Sequence, residues 1–153
     1  MFVGRKQELA TLERLYRSGA FQMPVVYGRR RAGKTSLIAE FVKGKPAIFF
    51  SARESTAKEN LVALSQAIAD LRLDGTSVAS DTAAPVFASF EEAFTHVFTL
   101  AQQQRIVLVI DEFPYLAQSD RSVSSVLQHL IDHHKENSRL FLILCGSSMS
   151  FME

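Results

Sequence analysis

With 153 residues, 47% of them hydrophobic and 22% charged, the chain has the size and balance of one globular domain that buries a core without disulfide or metal staples. A formal net charge of +1 sets no preference for nucleic acid, and no stretch approaches the roughly 18 consecutive apolar residues of a membrane-spanning helix. A single cysteine, Cys145, in an apolar run excludes an internal disulfide framework and fits a reduced, cytoplasmic setting.

Charged residues begin at Arg5, so no signal peptide is expected. Across residues 5–18, Leu9, Leu12, Leu15 and Tyr16 recur at three- and four-residue spacing and Gly19 follows, which predicts an amphipathic helix with a glycine stop. The apolar run Val25, Val26, Tyr27 leads into glycine and predicts a buried strand. A second helix follows from Lys34 to Lys43, ending at Gly44 with Pro46 beyond. Ala47 to Ser51 is a second apolar strand. Thr56 with Glu59, and Ser89 with Glu92, have capping-box spacing. They open helices carrying Leu61, Leu64, Ile68 and Leu71, and Ala93, Phe94, Val97 and Phe98. Residues 73–88, rich in Ser, Thr, Asp, Ala and Gly, form a loop too long for a compact domain unless functional or disordered, and disorder is expected. Ile106 to Ile110 is a third apolar run, ending in Asp111 and Glu112. A last helix near residues 120–134 carries Val123, Val126, Leu127 and Leu130, and Leu140 to Cys145 is the fourth apolar run. Strands apolar on both faces, alternating with amphipathic helices, predict an α/β fold with a parallel sheet covered by helices.

Two features carry chemistry. Gly28, Arg29, Arg30, Arg31, Ala32, Gly33, Lys34 and Thr35 satisfy G-x-x-x-x-G-K-[ST] at every fixed position, between a predicted strand and a predicted helix. Such a loop turns its amides toward phosphate oxygens, and the helix behind it adds its positive N-terminal end. Lys34 is placed to reach the β- and γ-phosphates, and Thr35 offers a hydroxyl to magnesium. The arginines at the free positions can serve a nucleic-acid backbone, although a solvated loop face is the commoner use of such a cluster. The second feature is the acidic pair. An aspartate at the carboxyl end of a strand beside the phosphate loop holds magnesium, and Asp111 and Thr35 can share one ion. Glu112 projects differently and can activate a water for attack on the γ-phosphate. Helix capping is the alternative for an isolated acidic pair. Ser147 and Ser148, after the fourth strand, read equally as a γ-phosphate sensor or a strand-end turn. His129 and His133 lie four apart on one helix face, but no carboxylate accompanies them in a zinc-protease pattern, so solvated histidines are expected. Cys145, Phe94 and Phe98 read as core.

The segments FVGRKQELATLERLY, YGRRRAGKTSLIAEF, FFSARESTAKENL, LVIDEFPYL and LCGSSMSFM, in this order, resemble the archaeal-type prokaryotic ATPase family, of the STAND group of P-loop proteins related to AAA ATPases. The resemblance runs from Phe2 to Met152. It implies a P-loop NTPase three-layer sandwich of the additional-strand class, with the Asp111 strand between the second and fourth and the fourth beside the first. It further implies Val3, Gly4 and Arg5 near adenine, the residues from Gly28 to Thr35 around the phosphates with Ser36 beside them, and Ser147 or Ser148 as sensor. Asp111 and Thr35 would hold Mg2+, and Lys34 and Glu112 would be catalytic. Family members continue with a fifth strand, a lid and C-terminal regions. Residues 1–153 are therefore expected to be the N-terminal portion of an ATPase domain, ending after the fourth core strand and lacking an arginine finger. The first strand would then lie at an exposed edge that invites a homo-oligomer. The functions implied are Mg-dependent ATP hydrolysis coupled to conformational change, a nucleotide-gated switch with negligible turnover, or a DNA-associated helper. The missing finger favours binding over turnover.

Overall fold

Helical spacing of Leu9, Leu12, Leu15 and Tyr16 becomes helix α1, Lys6–Arg17, in the computed structural model, which describes residues 6–27, 34–71 and 85–146. Gly19, at φ +75°, takes the left-handed conformation that ends the helix. Strand β1 is Val25–Tyr27 and helix α2 is Lys34–Val42, with Gly44 at φ +74° beyond it. Strand β2, Ala47–Ser51, precedes helices α3, Ala57–Ala69, and α4, Phe90–Leu100. Strand β3 is Ile106–Asp111, helices α5 and α6 are Phe113–Ser119 and Val123–His134, and strand β4 is Leu140–Gly146.

Both predicted caps form. Glu59 N–H donates to Thr56 Oγ1 and Glu92 N–H donates to Ser89 Oγ, each at 3.1 Å. Glu92 also reaches back, its Oε2 accepting from Ala88 N–H at 3.2 Å. Helix α5 was not expected from the sequence. Its first turn holds Pro114, which is harmless there because the first N–H groups of a helix have no intrahelical acceptor. Phe113, Pro114 and Leu116 are buried and hold this short helix in place.

All strand pairs are parallel, in the order β1-β4-β3-β2, so β3 lies between β2 and β4, and β4 beside β1. One face of the sheet packs Ile48, Phe50, Leu108, Ile110, Leu142 and Leu144 against α3, α4, α5 and α6. The other packs Val107, Val109, Phe141, Ile143 and Cys145 against Leu12 of α1 and Leu37, Ile38 and Phe41 of α2. The chain is thus a three-layer α/β sandwich. Lys45 fastens α1 to α2, donating to Glu13 Oε1 at 2.8 Å while its ammonium lies 4.4 Å from the Phe41 ring centroid.

Two expectations need correction. Only the central strands are buried on both faces: every residue of β4 is buried, but Val25 in β1 is 38% exposed and Phe49 in β2 is 45% exposed. Among the described residues β1 and β2 each have one strand neighbour, and apolar composition alone does not reveal whether a strand is central. The expected disorder also fails at residues 85–88, where Phe87 packs against the core and its N–H donates to Ser65 Oγ at 3.1 Å. Residues 73–84 of that loop lie outside the described residues.

Candidate nucleotide site

The carboxyl ends of parallel strands form the edge at which connecting loops converge on ligands. At that edge Tyr27 pairs with Gly146, Ile110 with Leu144, and Ser51 with Asp111. Side chains alternate along a strand. Asp111 therefore shares a face with Val107 and Val109, both packed in the cluster that includes Leu37, Ile38 and Phe41. Asp111 stands on the side of the sheet that α2 covers.

Asp111 is half-buried, and its Oδ1 accepts from Glu112 N–H at 3.0 Å. Its carbonyl accepts from Ala52 N–H at 2.9 Å, which carries the β2–β3 ladder one rung past Ser51. Glu112 follows at φ 55°, ψ 45°, the one non-glycine with positive φ among the described residues. A side chain in that conformation costs on the order of 1 kcal/mol, and such strain gathers at functional sites. Glu112 occupies the N-cap position of α5 but makes no side-chain capping bond, so capping does not account for it. The left-handed residue turns the chain sharply from β3 into α5. The adjacent acids thereby leave the strand in different directions.

Lys34, Thr35 and Ser36 form the opening of α2, with Ser36 exposed; the side chains of Lys34 and Thr35 lie outside the described set. Val3, Gly4, Arg5, Gly28, Arg29, Arg30, Arg31, Ala32, Gly33, Ser147 and Ser148 also lie outside the described residues. At this edge the structure places Asp111 and Glu112 at the end of β3, and α2 packs on the same face of the sheet through Leu37, Ile38 and Phe41. A residue the sequence reading missed also belongs to this edge: Asn60 of α3, 1% exposed, bonds the backbone of Arg53 just beyond β2. Its sequence signal was a polar residue in register with Leu64 and Ile68 at four-residue spacing, on the buried stripe of α3.

Cys145 is 1% exposed and Phe94 and Phe98 are fully packed. His129 and His133 stack with centroids 6.1 Å apart, and no group of three or more His, Cys, Asp or Glu suited to a metal occurs among the described residues. His134 stacks on Phe98 at 5.5 Å, and burial, then His133 and His129, hold its pKa below the usual histidine value. No described helix is long and apolar enough to cross a membrane.

Known proteins resemble this chain, some in fold and others in sequence. A Walker-type ATPase of Pyrococcus abyssi superposes with a TM-score of 0.71 at 21% identity, over 99% of this chain and 47% of that one. The ORC2 protein of Aeropyrum pernix, solved as ADPNP-ADP complexes, gives a TM-score of 0.61 at 20% identity, over 99% and 43%. In sequence, an uncharacterized protein of Methanocaldococcus jannaschii is 31% identical over 152 residues, covering 99% of this chain. The chain spans only 31% of that relative's length. The family described as an ATPase domain predominantly from Archaea matches residues 2–153. This chain belongs to that archaeal ATPase family.

Proposed function

We propose that the chain binds ATP with magnesium and that, within the complete protein, it hydrolyses ATP and couples hydrolysis to conformational change. One observation carries the reading: Asp111 lies at the carboxyl end of β3 on the face covered by α2, followed at once by a left-handed Glu112. The backbone amides of the loop from Gly28 to Thr35 and the N-terminal end of α2 bind the phosphates, and Lys34 neutralises the β- and γ-phosphate oxygens. Val3, Gly4 and Arg5 flank the adenine, Arg29, Arg30, Arg31 and Ala32 line the loop, and Ser147 senses the γ-phosphate.

The donor set fits magnesium. One carboxylate and one hydroxyl are hard oxygen ligands, and magnesium typically leaves most of its coordination to water and phosphate. Asp111 and Thr35 would hold it. When bound, the ion would supply positive charge that offsets the negative charge developing on the phosphates in the transition state. Glu112 orients a water in line with the γ-phosphorus and accepts its proton as the new P–O bond forms. The bond to the β-phosphate oxygen breaks, and ADP and phosphate leave. The buried thiol of Cys145 is compatible with a reduced, cytoplasmic setting.

Nucleotide binding and phosphate release test the assignment. Lys34→Ala abolishes binding. Glu112→Gln keeps binding and lowers release by at least about 10²-fold, the usual scale of general-base loss. Unchanged release in Glu112→Gln removes the base. If the complete protein binds nucleotide but releases no phosphate, the domain is a nucleotide-gated binding module instead. Self-association through the outer edge of β1, where Met23 and Val25 are each 38% exposed, belongs to the same proposal. A molecular mass that stays monomeric across the accessible concentration range removes it.

A further inference from the structure

Asn60 is a buried amide that the chemistry above leaves unused. Its side chain answers the backbone of Arg53 twice: Arg53 N–H donates to Oδ1 at 3.0 Å, and Nδ2 donates to Arg53 O at 3.2 Å. The amide thereby acts as a neighbouring peptide group where the strand ladder has run out. One residue earlier, Ala52 N–H donates to the Asp111 carbonyl at 2.9 Å. Helix α3 is thus connected through Asn60, Arg53 and Ala52 to the backbone of Asp111.

The last rung of a ladder is the first to open, because nothing beyond it resists fraying. Here the last rung holds the residue whose carboxylate direction matters most. An apolar residue would serve packing equally well at this position, in register with Leu64 and Ile68, but it could not bond Arg53. A buried amide retained there, with both of its bonds made to one strand-end residue, has the geometry of a brace. We infer that Asn60 is a positioning residue for Asp111, fixing its carboxylate for magnesium by keeping the Ala52–Asp111 rung closed. The inference rests on the reading of Asp111 as the magnesium-holding acid.

The test compares the magnesium concentration that half-saturates binding of a fluorescent ATP analogue with the affinity for that analogue without metal. Asn60→Leu, of similar volume, raises the half-saturating magnesium about tenfold, the lower end of what loss of a supporting partner costs a metal site. Metal-free affinity stays at the parent value, and in the ligand-free chain the Ala52 amide exchanges its hydrogen faster. Asn60→Ser, whose hydroxyl cannot span both Arg53 groups, shifts the same quantities in the same direction and decides the matter if Asn60→Leu does not fold. A folded variant with the parent's magnesium dependence, alongside an Asp111→Ala control that loses it, overturns the role of Asn60 and leaves the site reading intact. An Asp111→Ala control that keeps full magnesium dependence overturns the site reading, and this inference with it.

Discussion

At the amino-terminal edge of the sheet, Arg105 gathers carbonyls from three parts of the chain. Nη1 donates to Ala20 O at 2.5 Å and to Arg139 O at 2.6 Å, and Nη2 donates to Leu15 O at 3.2 Å. The guanidinium also lies 5.2 Å from the ring centroids of both Tyr16 and Phe141. The carboxyl-terminal edge is finished differently, with a half-buried acid, a strained Glu112 and a strand end that depends on Asn60. Both edges terminate the same strands, yet one satisfies backbone groups within the fold and the other gathers acids and strain. On the proposed function, stability and chemistry fall at opposite ends of one sheet, and a substitution at either end should move one property and spare the other.

The largest expected separation comes from Arg105→Met. It keeps an apolar stem but leaves three carbonyls without their shared donor. Partial access of these groups to water softens the loss, and Arg105 Nε already has no acceptor among the described residues. Unfolding in urea should show a loss of about 2 kcal/mol, the scale of hydrogen bonds to a charged group. Arg105→Lys should recover little, because a compact ammonium cannot reproduce the fork. Nucleotide affinity of the folded fraction should not change. A variant that keeps its stability, or loses affinity while folded, breaks the division between the edges.

The same division explains what was legible in the sequence. Helix α1, the two caps and the strand order followed from periodicity, cap chemistry and the family resemblance, all of which survive without knowledge of the surroundings. The motif from Gly28 to Thr35 and the Asp111–Glu112 pair stand out in the sequence because the chemistry proposed for them demands fixed residue types at fixed spacing, although residues 28–33 lie outside the described residues. Helix α5 was missed because seven residues opening on Phe113 and Pro114 give too few turns for a periodic signal and resemble a break. The exposure of Val25 and Phe49 depends on which strands are central, a property of the whole sheet. Ordering of Phe87 depends on Ser65, a small polar residue that carries no sequence signal of its partner 22 positions on.

A smaller effect is expected at the other edge from Glu112→Gly. Glycine accepts φ 55° without the steric penalty of a Cβ, although its freer unfolded chain takes back part of the gain. Relative to Glu112→Ala, which retains the strained backbone and also lacks the carboxylate, the glycine variant should be more stable by up to about 1 kcal/mol. Both should lose phosphate release. Equal stability of the two variants would mean that the surroundings, not local strain, set this conformation.

The smallest effect concerns His134, at the end of α6 and close to the amino-terminal edge. Its ring stacks on Phe98 at 5.5 Å, and the His133 ring meets it edge-on with centroids 5.0 Å apart. Nearby, Ser138 Oγ donates to Phe98 O at 3.1 Å and Arg139 N–H donates to Ala101 O at 2.9 Å, so the ends of α4 and α6 are joined here. Burial and the two neighbouring histidines depress the His134 pKa in the folded chain. As pH falls, the unfolded chain therefore takes up this proton first, near the ordinary histidine value of about 6.5. The stabilising contribution is complete above that value and is lost as pH drops toward the folded-state pKa. His134→Phe preserves the stack and removes the titration. Its unfolding free energy should fall less than the parent's between pH 7 and 5, while magnesium-dependent nucleotide affinity keeps the parent's pH profile. Parallel stability curves for the two proteins would show that the joined helix ends carry no proton-linked term, and a changed affinity profile would tie this edge to the chemistry of the other.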